Sequence, residues 1–557
     1  MKNPINIKQN LARFQLAPFG RGDYVIALIL AIITAFLCVG QVDNGHNWGG
    51  DFSGYIAQAI ALVQGTTEQY IAENTLMMDK CDWLFGPYAY PWGFPLILAF
   101  VYKIFGFNLV AFKVVNIICY AIFVGIFYIF CAKRLPRIYA FFATLLFVIN
   151  PSMTAFVANN VLSDVSFLLF GFVALIVLAK LFCESVDCRE SLCDSRHNGV
   201  VDCHDFANAK TRNDKTHPLA PSAREGGHHG LCIAIFGGVF MLFASLIRMN
   251  GFVILCALIA MHGILLAKRF APKIFKIRAL QFLERVHSPY PPYIHAIPYI
   301  IFALGFLVVA LNLSSGGSGH FSEIANTNAK IIFHHIGYYV KTFGDFFIAE
   351  KAHKFLRILF VLSVPLIYLG IRENLKGANA SEHIFYVVFV CGFMLLLLLW
   401  IGIQGIRFVY LVLPFGVFWG AKGLFYLNGK KALFGRIMNV VLLIVLAYFA
   451  FSAKNISFTH KVSTSGAYTK DAKEVWDFIK QNTPKEAVIL FHKPRVLYLN
   501  TGRIAFASNN IARFDEVDFV LWEISLWRGA PLDSSEFIER TNLIYENAQF
   551  RLFSVKK

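Results

Sequence analysis

The sequence predicts a polytopic α-helical membrane protein: about eleven transmembrane helices, interfacial helices in the first external loop, and a small C-terminal α/β periplasmic domain. Three observations carry this prediction. The 557 residues are 57% hydrophobic and 16% aromatic but only 15% charged, too apolar for a water-soluble chain of this size. Apolar runs of about 17 to 22 residues recur through the first four-fifths of the chain, close to the roughly 20 residues that cross about 30 Å of hydrocarbon. After residue 452 the composition changes to that of a soluble domain. The net charge of +17 does not point to nucleic acid, because the basic residues lie between the apolar runs.

The first run, 24–40, follows a basic leader containing Lys2, Lys8, Arg13 and Arg21, and no small-x-small cleavage site follows it. It reads as an uncleaved anchor with a cytosolic N-terminus. The first external loop, 41–107, contains two apolar segments too short to span, 56–63 and 94–105. Tyr88, Tyr90, Pro91 and Trp92 precede the second and suit the headgroup level, so both read as interfacial. Spans are then predicted at 109–131, 138–156, 161–182, 231–247, 251–267, 294–312, 355–371, 384–402, 408–426 and 437–452. An odd number of spans puts the C-terminus outside. The segments this leaves in the cytosol hold 26 Lys and Arg, against eight in the short external loops, as the positive-inside rule requires. The fifteen in the C-terminal tail belong to a long translocated domain, which the rule exempts. The setting expected is a bacterial inner membrane.

Two regions are thus expected, a transmembrane catalytic region over 1–452 and a soluble domain over 453–557. In the second, a helix over 471–481 sets Ala472, Val475, Trp476, Phe478 and Ile479 largely on one face, and strands are expected at 487–491 and 517–522. Residues 183–229 form a polar cytosolic insertion. Its Cys183, Cys188, Cys193 and Cys203 lack the close CxxC pairs of a zinc site, and His197 and His204 do not complete one. Of the eleven cysteines only Cys81 falls clearly outside and none follows Cys391, so no disulfide framework is predicted.

The candidate chemistry lies at the outer boundary. Asp51, in Gly49-Gly50-Asp51-Phe52-Ser53-Gly54-Tyr55, starts an interfacial helix; there a carboxylate serves either as a general base or simply to offset the helix dipole. Asp164, in Leu162-Ser163-Asp164, opens a span, where an ionisable group is costly and marks function unless it caps its helix or pairs with an arginine. Arg248 sits in a tight outer turn and Arg407 in Gly405-Ile406-Arg407-Phe408-Val409-Tyr410. Guanidinium forks bind phosphate oxygens, with interfacial snorkelling as the other reading. Lys113, at the start of the second span, is a third phosphate contact or an interfacial anchor. His334 and His335 diverge by about 100° on a helix, which disfavours joint ligation of one ion.

Asp51, Tyr55, Ala59 and Gly65, followed by Tyr90-Pro91-Trp92-Gly93-Phe94-Pro95-Leu96, resemble the first periplasmic loop of the GT-C superfamily, which includes protein O-mannosyltransferases and the lipid A aminoarabinose transferase. Ser163-Asp164 is similar to the family's Ser-acid pair. The run from Arg407 through Tyr410 to Pro414 is similar to its Arg-Tyr segment, and Trp476, Pro484 and Tyr498-x-x-Thr501-Gly502-Arg503 to its outer domain. Phe52 departs from the Asp-Glu pair of some relatives. The resemblance implies transfer of a sugar from a polyprenyl-phosphate donor to a lipid A, glycan or protein acceptor on the periplasmic face, with inversion. Asp51 and Asp164 would be catalytic, Arg248, Arg407 and Lys113 would hold the donor phosphate, and Tyr55 and Tyr90 would contact substrate. It leaves a divalent cation open, since some relatives use one, and implies no nucleic-acid partner. The competing class is a transporter or flippase of a lipid-linked or small polar substrate, which predicts ionisable groups within the membrane and broken helices in paired halves.

Overall fold

Each of the eleven predicted spans is helical in the computed structural model, which describes residues 19–83, 86–183, 223–270, 274, 280–313, 327–349, 351–400, 402–403, 405–453, 466–524 and 534–556. Helix α1 (Arg21–Val39) is followed by three helices of the first loop, α2 (Gly50–Gln64), α3 (Thr67–Asp79) and α4 (Gly93–Phe105). The bundle continues with α5 (Leu109–Ala132), α6 (Arg137–Val148), α7 (Pro151–Asn159), α8 (Asp164–Leu178), α9 (Ala223–Ile247), α10 (Phe252–Phe270) and α11 (Pro292–Asn312). Then come α12 (Ala329–Gly344), α13 (Ile358–Asn374), α14 (Ala380–Leu399), α15 (Leu413–Lys430) and α16 (Ala432–Ser452). Among the described residues nine helices are long and apolar enough to cross a membrane, or ten if α6 and α7 form one span.

Two of the eleven predicted spans differ from simple crossings. The run at 138–156 bends by 49° between α6 and α7. Pro151 disfavours helical backbone at Asn150 and suits the first position of a new helix, and the Asn150 side chain caps that helix by accepting from the Met153 N–H at 3.0 Å. The run at 408–426 is α15, which carries Lys422, Lys430 and four glycines and is not among the nine. Gly423 serves packing: a Cβ there would lie 1.9 Å from the Leu366 carbonyl oxygen, and one at Gly370 of α13 would lie 1.9 Å from that of Trp419. Helices α13 and α15 therefore touch backbone to backbone, the contact that small residues permit between membrane helices.

The bundle interior is aromatic, with the Phe123 and Phe172 rings 5.4 Å apart and those of Phe127 and Phe147 5.0 Å apart. Buried ion pairs brace the end where α1 begins. Arg137 binds Asp23 at 2.8 Å, and Arg134 pairs with Glu382 to join α5 to α14. Unpaired, these charges would be expensive there.

After residue 466 the chain forms α17 (Lys470–Asn482), β1 (Val488–Leu490), α18 (Pro494–Thr501), β2 (Ile504–Phe506), β3 (Phe519–Glu523), α19 (Ser535–Arg540), β4 (Thr541–Glu546) and β5 (Phe550–Val555). The sheet order is β2-β1-β3-β5-β4, with β1 parallel to β2 and β3, and β5 antiparallel to β3 and β4. Thr469 caps α17, whose Ala472, Val475, Trp476 and Ile479 are buried at helical spacing. Trp48 of the first loop packs edge-on against Trp476, Phe491 and Phe550, seating the sheet on that loop. The predicted Cys188, Cys193, Cys203, His197 and His204 of the insertion lie outside the described residues, as do Lys2, Lys8 and Arg13.

Candidate active site

Four helix ends bring the charges together. Asp51 lies in the first turn of α2, after Gly49, and Asp164 is the first residue of α8; both carboxylates face the positive ends of helix dipoles. Arg248 links α9 to the turn Met249–Gly251, and Arg407 lies in the turn Ile406–Val409 between α14 and α15. That turn is entered through Gly405, whose φ of 69° suits glycine. The Gly405 N–H donates to the Tyr338 hydroxyl at 2.7 Å, so α12 holds the segment that presents Arg407.

The arginines and carboxylates form one chain of contacts. Arg248 pairs with Asp164, which is 2% exposed. Arg407 reaches both acids, with Nη2 3.1 Å from Oδ2 of Asp51 and Nη1 4.0 Å from Oδ2 of Asp164. The two guanidinium carbons flank Phe408, 4.8 and 5.6 Å from its ring centre. Tyr90 donates its hydroxyl to Oδ1 of Asp51 at 2.8 Å. Burial pushes the Asp51 carboxyl up, but Arg407, the Tyr90 hydrogen bond and Arg495 outweigh it and hold the acid below its ordinary value. Tyr55 shares a 2.8 Å hydrogen bond with Ser163 and stacks at 4.3 Å on Tyr90, and burial pushes its hydroxyl up to about 12. Gly54 makes this packing possible, since a Cβ there would fall 2.5 Å from the Tyr90 ring.

Six of the seven predicted residues thus converge: Asp51, Asp164, Arg248, Arg407, Tyr55 and Tyr90. Lys113 does not join them. Its ammonium is fully buried and bonded to Oδ1 of Asp43 at 2.6 Å, to the Asp43 carbonyl at 2.8 Å and to the Gly45 carbonyl at 2.5 Å. Those three partners use all the donors an ammonium has. Its expected phosphate contact is replaced here by a strut under the strand of loop that leads into α2. His335 is likewise structural, its Nδ1 bonded to the Leu398 carbonyl at 2.9 Å. Arg503 ties the 480–483 turn to α18 through Lys480, Thr483 and Thr501 carbonyls. Among the described residues no group of three or more His, Cys, Asp or Glu side chains is placed to hold a metal ion.

Two participants escaped the sequence. Arg495, at the start of α18, donates to the Tyr90 hydroxyl at 2.8 Å from a position more than 400 residues away along the chain. The basic run Lys493-Pro494-Arg495 between a strand and a helix was the available signal. His46 is the other: the Val161 N–H donates to its Nε2 at 3.0 Å, its Nδ1–H donates to the Asn47 carbonyl at 3.1 Å, and its ring stacks 3.7 Å from Phe52. It fastens the approach to α2 onto the approach to α8.

No protein-family description matches this sequence, and no curated protein matches it significantly. Solved structures do match in fold. ArnT from Cupriavidus metallidurans bound to undecaprenyl phosphate is 11% identical, with 96% of this chain and 98% of that one aligned at a TM-score of 0.52. Its apo state is 10% identical over 95% and 97%, at 0.50. The archaeal oligosaccharyltransferase AglB from Archaeoglobus fulgidus, in complex with an inhibitory peptide and a dolichol-phosphate, is 12% identical over 92% and 70%, at 0.48. The ArnT match runs nearly the length of both chains, and this chain shares the fold of that protein.

Proposed function

We propose that this protein is a membrane glycosyltransferase that moves a sugar from a polyprenyl-phosphate donor to an acceptor hydroxyl or amine on the periplasmic face of a bacterial inner membrane. The observation that carries the reading is the Asp51 carboxylate, held ionised at a helix N-terminus beside Arg407 and Tyr90 and one guanidinium away from a second carboxylate, Asp164. The fold it shares with ArnT, a protein solved with undecaprenyl phosphate bound, supports the donor class.

In this reaction the acceptor oxygen or nitrogen attacks the anomeric carbon, the bond from that carbon to the phosphate oxygen breaks, and the lipid phosphate leaves with the electron pair. The acceptor proton passes to Asp51. Attack opposite the leaving group inverts the sugar. The departing phosphate gains a negative charge, which calls for fixed positive charge rather than a proton donor, and Arg248 and Arg407 supply it. Asp164 keeps both guanidiniums aimed at one place. Tyr55 and Tyr90 line the sugar side.

The transport reading has one observation of its own. Tyr299, His262 and His295 of α10 and α11, with Ser288 of the segment leading into α11, form a hydrogen-bonded chain with links of 2.7, 2.8 and 2.6 Å. Reconstitution into proteoliposomes with undecaprenyl-phosphate sugars and a panel of lipid, glycan and peptide acceptors separates the two. The expected result is product formation by the wild type, reduced about 10²- to 10⁴-fold in Asp51→Asn, the usual weight of a general base. Wild-type transfer by the variant would remove Asp51 from this role, and directional flux with no new glycosidic bond would establish transport instead.

A further inference from the structure

Arg495 enters the site from α18, a helix of the C-terminal domain. It is 3% exposed and donates Nε to Oδ1 of Asn74 at 3.0 Å, Nη2 to the Pro87 carbonyl at 2.5 Å and Nη1 to the Tyr90 hydroxyl at 2.8 Å. Its guanidinium carbon also lies 5.3 Å from the Tyr90 ring centre. A guanidinium only donates. The Tyr90 oxygen must therefore accept from Arg495, and its own hydrogen has to point elsewhere. The acceptor waiting for it is Oδ1 of Asp51, at 2.8 Å. We infer that Arg495 is a positioning residue for Asp51: by donating to the Tyr90 hydroxyl it makes Tyr90 a donor to Asp51, so that seating α18 on the first loop fixes the carboxylate's orientation.

This inference rests on the reading of Asp51 as the group that takes the acceptor proton. It goes further in making the C-terminal domain, through α18, part of the catalytic geometry. The groups that face Asp51 come from every element around it: Arg407 from the turn before α15, Tyr90 from the approach to α4, Tyr55 from α2 itself, Arg495 from the start of α18 and Lys493 from just before that helix. Asp164 and its partner Arg248 stand behind Arg407. Losing Arg495 removes a positive charge and also frees the Tyr90 hydrogen to turn away. Both changes favour the protonated carboxyl.

The test is the pH dependence of kcat/KM for the full-length protein in nanodiscs, with undecaprenyl-phosphate sugar as donor. Arg495→Met should move the acid limb up by about one pH unit, the scale expected for a lost neighbouring charge and hydrogen bond. Arg495→Lys, which keeps the charge but not the fork, should fall between the two. Tyr90→Phe should also raise the limb, and adding Arg495→Met to it should move the limb further by clearly less than Arg495→Met does alone, because only the lost charge then acts. If Arg495→Met does not fold, Arg495→Lys with and without Tyr90→Phe makes the same comparison. Equal shifts with and without the Tyr90 hydroxyl, or a lower rate with an unmoved limb, would overturn the inference. Failure of the Asp51 reading shows separately, as a wild-type rate and limb in Asp51→Asn alone.

Discussion

At the scale of residues, the site separates side chains that share a charge into different tasks by where their donors go. Arg407 bridges Asp51 and Asp164, whereas Lys113, equally close to the membrane boundary in the sequence, gives all three donors to Asp43 and Gly45. Removing the ammonium would leave two carbonyls and a carboxylate oxygen without their partner. Because Asp43 is about one-third exposed (32%), the loss should lie between that of a surface pair and a buried one, on the order of 2 kcal/mol. Lys113→Met should accordingly lower the thermal midpoint of the purified protein while leaving the donor KM near that of the wild type. A KM raised tenfold in a variant of normal stability would return Lys113 to the phosphate site. Arg248→Met supplies the contrast, since it leaves the buried Asp164 carboxylate with only the 4.0 Å contact to Arg407 and should impair both properties.

At the scale of elements, function depends on how the approaches to α2 and α8 are fastened together, and His46 does this in one protonation state. Its Nε2 accepts from the Val161 N–H, so a proton on that nitrogen would set donor against donor. Burial, the largest influence, pushes the imidazole down to about 4, from about 6.5 in an unfolded chain. The folded form binds its proton less readily than the unfolded form. The stabilisation is therefore complete above about pH 6.5 and drains away as the pH falls towards 4, to a limit of about 3 kcal/mol. The thermal midpoint of the wild type should drop between about pH 7 and 4.5, and His46→Gln, which retains an acceptor but cannot titrate, should start lower and drop less. Parallel pH dependence in the two proteins would remove His46 as the titrating fastener. Periodicity found α2 and α4 because their apolar faces are local. It could not find His46, whose partner lies 115 residues away, nor the bend at Asn150, where a single Pro151 interrupts an otherwise continuous apolar run.

At the scale of the whole molecule, what was legible in the sequence followed from solvent. Hydrocarbon demands long apolar helices and charges at their ends, and such patterns are visible in one dimension. The convergence of Asp51, Asp164, Arg248 and Arg407 followed once the short runs in the first loop were read as non-spanning, because that choice sets the parity of every later helix. The contribution of Arg495 was hidden because it depends on how a separate sheet seats on that loop, through Trp48 against Trp476, Phe491 and Phe550. The same parity predicts sidedness. Helix α13 ends at Asn374 and α14 begins at Ala380, on the side of the bundle opposite Arg407, so Lys376 should face the cytosol if the catalytic end faces the periplasm. Lys470, whose side chain is 87% exposed at the start of α17, should lie on the catalytic side. A membrane-impermeant maleimide applied to spheroplasts should label Lys470→Cys above the wild-type background and label Lys376→Cys only after permeabilisation. The reverse pattern would invert the protein and place its chemistry in the cytosol, and labelling of both sites in sealed cells would mean that one of the helices between them, α14 to α16, does not cross.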